Sequence, residues 1–341
     1  MALITGDNKA NTLTGTGGDD TVRARGGNDR LAGLAGADGL YGEDGDDILD
    51  GGAGDDVLDG GAGRDIVTYV NLGSGIRASA GATDFPAGGT PGQWSVTSAA
   101  GGRDSLAGVE GVVGTRFADV LYGGSDTSQL FRGGAGDDIL SGGYASAASD
   151  TLYGGDGDDI IFGAEETGFD RFIPAGTGDS LHGGNGSDLL AGVDGDDRLF
   201  GDAGADELSG GRGRDVLAGG AGGDEFAYNN VNNGNYGTTD DFGRDLITDF
   251  VRGTDEIAFS AGGDEFSGPE LAGFADLDSD GNGVLDRRDD RVELRQVSFG
   301  GATRTSTVID VTDLNFPGSG EHSLTVFGVT GLRAGDFADP A

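Results

Sequence analysis

The chain contains no cysteine, so disulfides and any thiolate-based zinc or redox site are excluded, and thiols give no reading of the compartment. Hydrophobic residues make up only 35% and aromatics 7% of 341 residues, too little for conventional globular cores throughout. No window of about 18 apolar residues suggests a membrane span. The opening MALITGDNKANTLTG lacks a charged n-region and an apolar stretch suited to a cleavable leader, so any export is expected to use another signal. Basic residues are scarce: 21 Lys and Arg against 60 Asp and Glu leave a net charge of −39, which repels nucleic acid and anionic membrane and opposes compaction at low salt. Cations are the implied partners.

Glycine is what the chain has in excess, at 73 residues. An acidic, glycine-rich composition also suits disorder, and periodicity decides between the two. From Gly6 to Thr68 the sequence divides into seven uninterrupted nine-residue units, among them GEDGDDILD, GGAGDDVLD and GGAGRDIVT. Position six is Asn11, then Asp20, Asp29, Asp38, Asp47, Asp56 and Asp65, and position eight is always Leu or Val. A second array starts at Gly114 and carries Asp119, Asp138, Asp150 and Asp159, with a one-residue slip at Arg132 and an enlarged unit from Gly142 to Tyr153. After an interruption from Gly163 to about Ile173, a weak unit holds Asp179 and ends at His182. Five regular units then run from Gly183 to Ala227 with Asp188, Asp197, Asp206, Asp215 and Asp224.

Glycines permit positive φ and close backbone approach, so GGxGxD suits a tight turn whose carbonyls converge and whose Asp supplies charge. Such a site offers only oxygen, and multiple carbonyls with carboxylates favour calcium over magnesium. The following x-U-x is long enough for one short strand with its apolar side chain inward. Two units then form an 18-residue coil, stacking at roughly 4.8 Å per coil.

The stretches GGAGDDVLDGGAGRD and GGNGSDLLAGVDGDDRLFGDAGADELSGGRGRD resemble the nonapeptides of the repeats-in-toxin (RTX) family, a calcium-binding β-helix repeat. The resemblance implies an all-β fold, a right-handed parallel β-roll in two arrays. It further implies several calcium ions held between turns of adjacent coils, and bacterial secretion by a type I system using an uncleaved C-terminal signal.

The expected division is a first roll at 1–68, a β-rich insert at 69–113, a second roll at 114–227 and a capping region at 228–341. In the insert, Trp94 and Phe85 stand either for a sugar-binding pair or for a satellite core. The segment from Phe226 alternates apolar positions and resembles the family's cap, with D-x-I-x-D-F followed by G-x-D-x-I. Residues 278–289, DSDGNGVLDRRD, fit an EF-hand loop: Asp278, Asp280 and Asn282 at positions one, three and five, Gly283 at six, the Val284 carbonyl at seven, Asp286 at nine and Asp289 at twelve. An Asx-turn is the alternative. Its flanks, AGFADL and DRVELRQV, are expected as short helices. The last stretch resembles the C-terminal segment of the family.

No HExxH, GxSxG or P-loop occurs. The two histidines, His182 and His322, read as surface residues. Acidic pairs such as Asp55-Asp56 recur with the repeat, which metal binding explains and a singular glycosidase dyad would not. Enzymes of the family carry a separate catalytic domain, whereas here residue 6 already lies in the repeats. The expectation is therefore a secreted, calcium-folded structural, adhesive or matrix protein without enzymatic activity. The alternative is a protein that binds or modifies extracellular polysaccharide through the insert.

Overall fold

The computed structural model describes residues 1–80, 93–124, 128–143, 148–164, 178–230, 243–261, 277, 279, 281–282, 284–310 and 323–337. Two compact units divide between Ile160 and Ile161. Among the described residues no helix is long and apolar enough to cross a membrane.

In the first unit the chain alternates between two sheets every nine residues. One sheet runs Leu3–Thr5, Thr21–Arg23, Gly39–Asp44, Val57–Ala62; the facing one runs Thr12–Thr14, Arg30–Ala32, Ile48–Asp50, Ile66–Thr68. All these pairings are parallel, with partners 18 residues apart, as in Val22↔Leu40 and Leu31↔Leu49. This is a parallel β-roll. The position-eight side chains Val22, Leu31, Leu40, Leu49, Leu58 and Val67 fill its interior. Each coil thus buries only two large apolar groups, a thin core by globular standards. The strands are not all three residues long: Gly39–Asp44 extends into the next turn because Glu43 and Asp44 pair in register with Gly61 and Ala62.

The insert adds three strands to one sheet and a single strand, Gly111–Val113, to the other. Ile76–Ala80, Gln93–Ser98 and Gly102–Ala107 form an antiparallel meander whose outer strands pair parallel with Val120–Tyr122 and Val57–Ala62. The opposite sheet passes directly from Ile66–Thr68 through Gly111–Val113 to Leu130–Ala135. Trp94 is only 4% exposed and meets Phe131 edge-on, with centroids 5.5 Å apart. It belongs to a core, while Phe85 lies outside the described residues. The slip and the enlarged unit appear as offsets of 19 residues at Val120↔Ile139 and 21 at Leu130↔Thr151.

The second unit repeats the 18-residue register, with Leu190↔Leu208 on one sheet and Leu181↔Leu199↔Leu217 on the other. Beyond the repeats, Glu256–Ala261 extends the first sheet in parallel. Arg244–Ile247 and Ser323–Val326 extend the second, which then closes with antiparallel Ala302–Asp310 and Val292–Phe299. The latter strand corrects the helix expected for DRVELRQV: its alternating pattern pairs along its whole length with Ala302–Asp310. AGFADL falls outside the described residues except for Leu277.

Candidate metal centre

Each turn approaches its neighbour at backbone distance. Gly54 adopts φ +142°, and a Cβ there would collide with the carbonyl oxygen of Gly36 in the preceding coil. Five non-glycine residues, Arg25, Leu34, Glu43, Val193 and Asp202, also have φ between 72° and 82°. All occupy position two of their units. For L-residues this conformation costs roughly 1–2 kcal/mol each. Part of the compensation is visible, since the Arg25, Leu34 and Asp202 carbonyls accept the N–H of position three in the next coil at 2.8–2.9 Å.

The position-six aspartates form ladders along the stack. The N–H of Asp20 donates to Oδ1 of Asp38, and the same bond joins Asp29 to Asp47, Asp38 to Asp56, and Asp47 to Asp65 at 2.7–2.8 Å. Asp119 and Asp138 bond in the same way to Asp138 and Asp159, and Gln129 to Asp150. In the second unit Asp179, Asp188, Asp197 and Asp206 donate to Asp197, Asp206, Asp215 and Asp224. All sixteen array aspartates anticipated from the repeat are buried, none more than 7% exposed.

One N–H saturates only half of a carboxylate. In Asp29, Asp38, Asp47, Asp56, Asp65, Asp138, Asp197, Asp206, Asp215 and Asp224 the second oxygen, Oδ2, is buried without a hydrogen-bond partner. A buried anionic oxygen of this kind is strongly unfavourable unless a cation meets it. With protein groups alone, burial pushes Asp138 and Asp197 up to about 8 and Asp65 and Asp215 to about 7, with neighbouring carboxylates adding to the rise in Asp138, Asp197 and Asp65. Asp56 and Asp206 are raised by burial to about 6.

The missing partner has a place. A Cβ on Gly33 would meet Asp38 Oδ2 and the Gly51 carbonyl together, and Gly42, Gly192 and Gly201 face the same pair of groups at Asp47/Gly60, Asp197/Gly210 and Asp206/Gly219. The absent side chain leaves room where a carboxylate oxygen and a carbonyl from the next coil converge. Among the described residues no three acidic or histidine side chains come together. Carbonyls must therefore supply most of the ligands, a hard, oxygen-only set that fits calcium and suits neither zinc nor a soft metal.

Gly15 and Gly114 face the same pair of groups at Asp20/Gly33 and Asp119/Gly133, but there the second oxygen has protein donors. Asp20 Oδ2 accepts the Thr16 N–H at 2.6 Å and hydroxyl at 2.7 Å, and Thr16 holds its carboxyl below the ordinary value. Thr115 donates its N–H to Asp119 Oδ2 and its hydroxyl to Oδ1.

Four acids that sequence reasoning missed continue the ladders: Asp56 N–H donates to Asp104, Asp65 to Glu110, Asp215 to Asp245 and Asp224 to Asp255. They stand 48, 45, 30 and 31 residues away. Asp104 also accepts the buried Tyr69 hydroxyl at 3.0 Å.

In the EF-hand-like segment, Asp278, Asp280 and Gly283 lie outside the described residues. Asn282 accepts the Val284 N–H and Asp286 the Arg288 N–H, both bonds of Asx-turn type. Buried Asp289 accepts from Ser279 Oγ and the Asp286 N–H, and Leu285 bridges to Leu332. His182 stacks on Phe200 at 4.6 Å, 3.7 Å from Asp202, and burial lowers its pKa. His322 is outside the described residues.

The family described as RTX calcium-binding nonapeptide repeat (4 copies) matches residues 5–40, 33–67, 113–143, 144–168, 176–193 and 191–226, about half of the chain. Among solved structures, a subunit of the mannuronan C5-epimerase of Azotobacter vinelandii is 27% identical with a TM-score of 0.28, covering 49% of this chain and 80% of that one. The extracellular lipase LipA of Serratia marcescens is 18% identical with a TM-score of 0.19 over 94% of this chain, which spans 38% of the lipase. No curated protein matches the chain.

Proposed function

The chain belongs to the RTX calcium-binding nonapeptide repeat family and binds multiple calcium ions, and from that premise we propose that it is a secreted structural or adhesive protein whose rolls fold on meeting extracellular calcium. The observation that carries this reading is the set of ten buried Oδ2 atoms with no hydrogen-bond partner, repeated at the same position of the unit. Metal that binds the folded roll and not the open chain adds its binding free energy to folding. At a net charge of −39 the calcium-poor chain resists compaction, which favours threading through an export channel, and the calcium-rich exterior then drives folding. The supporting residues are the position-six aspartates with the position-one carbonyls beside them.

A calcium titration of the full chain followed by far-ultraviolet circular dichroism and light scattering tests this. The expected result is a largely unfolded chain in chelator that gains β-structure cooperatively as calcium rises toward millimolar. A β-rich, cooperatively melting protein in excess chelator would overturn the folding switch even if calcium still bound.

A further inference from the structure

The turns fall into two kinds that differ at position two. In the ten units named above whose aspartate leaves Oδ2 buried and unpartnered, the position-two residue has positive φ, whether glycine, as at Gly52 and Gly211, or a larger residue, as at Leu34 and Val193. In four others position two has no positive φ, and its N–H points at the position-six side chain instead: Asp7 to Asn11, Thr16 to Asp20, Thr115 to Asp119 and Val251 to Asp255. In the ten turns a positive φ at position two coincides with an unpartnered second oxygen, and in the four turns the position-two N–H supplies that partner.

We propose that the conformation of position two decides whether a turn takes an ion, so that turns closed by their own N–H at Asn11, Asp20, Asp119 and Asp255 hold no calcium at that oxygen and mark the limits of the ion rows. The proposal rests on the calcium reading of the repeats and specifies which repeats act.

Two further facts support it. Position six is a neutral amide at Asn11, where the side-chain oxygen already accepts the Asp7 N–H, so no charge is demanded there. Gln129 takes the corresponding place in the ladder by donating its N–H to Asp150, and the glycine at position two of that unit, Gly124, does not use the positive φ open to it. The neutral residues therefore fall in turns without positive φ. The chemistry also explains the threonines, because Thr16 and Thr115 each add a hydroxyl donor to the carboxylate that a cation would otherwise neutralise.

Calcium content of the full chain, measured by equilibrium dialysis with elemental analysis, separates the alternatives. Asp20→Asn and Asp119→Asn should keep the wild-type number of ions, whereas Asp47→Asn and Asp206→Asn should each lose at least one. Loss of an ion from Asp20→Asn equal to that from Asp47→Asn overturns the proposal and leaves the calcium reading intact. Unchanged content in all four variants defeats the calcium reading itself. Anomalous difference maps of wild-type crystals grown with calcium give a test independent of variant folding. Peaks are expected beside Asp47 and Asp206 Oδ2 and none at Asp20 or Asp119 Oδ2; a peak coordinated by Asp20 Oδ2 refutes the assignment.

Discussion

The N–H of Asp38 donates to Oδ1 of Asp56 at 2.8 Å, and Asp56 in turn leaves Oδ2 buried without a partner. One side chain therefore does two separable things. Its first oxygen ties a coil to the one before it, and its second carries the charge that a cation must meet.

Asp56→Asn should separate these roles. The amide oxygen can still accept from Asp38, but the charge is gone, so ion content should fall while residual structure in chelator is at least that of wild type. Asp56→Ala removes both and should lose about 1–3 kcal/mol more, the cost of an unsatisfied buried N–H. Thermal melts with and without calcium measure both variants, and an Asp56→Asn chain less ordered than wild type in chelator would contradict the division.

A steric pair tests the stacking of the turns. Gly54→Ala places a methyl group against the Gly36 carbonyl at φ +142°, and should destabilise the calcium-loaded roll by more than about 1 kcal/mol. Gly17→Ala has nothing within 4 Å and no positive φ, so it should stay within about 0.5 kcal/mol of wild type. Melting both in saturating calcium gives the comparison. Equal effects would mean that the stack tolerates the methyl group.

The nonapeptide text made most of this legible, because a strict nine-residue period fixes both the inward Leu40 and Leu49 and the laddered Asp38 and Asp47. It did not reveal Asp104, Glu110, Asp245 and Asp255. Those acids reach the ladder after insertions, where register depends on how the meander at Ile76–Ala107 or the closing strands pair rather than on a count along the chain. Position two was equally silent, since Thr16 and Leu34 both break the glycine consensus yet adopt opposite conformations. The difference lies in φ and not in composition.

Trp94 offers a probe of the insert. It is the sole tryptophan, buried against Phe131, so its emission should shift to the blue as calcium folds the first unit, in step with circular dichroism. Trp94→Ala should cost about 3–5 kcal/mol, as expected for a large aromatic removed from a core. A red, calcium-insensitive emission would place the side chain on the surface and return the sugar-binding alternative.

Acid should partly replace calcium. Asp138 and Asp197 are raised to about 8, Asp65 and Asp215 to about 7, and Asp56 and Asp206 to about 6, with burial the leading cause in each. Their unfolded values lie near 3.9. A carboxyl whose folded pKa is raised favours the folded state below its unfolded value, and that contribution is lost as pH rises through the folded value. In chelator, the chain should therefore be most ordered near pH 4 and lose structure progressively between about pH 4 and 8, with the last losses set by Asp138 and Asp197. Calcium competes with those same protons, so binding at pH 6 should release more protons than binding at pH 9. Circular dichroism against pH in chelator, with calorimetry in buffers of different ionisation enthalpy, measures both effects. Greater order in chelator at pH 8 than at pH 5, or no difference in proton release between pH 6 and 9, would show that the buried carboxylates are not what keeps the metal-free roll open.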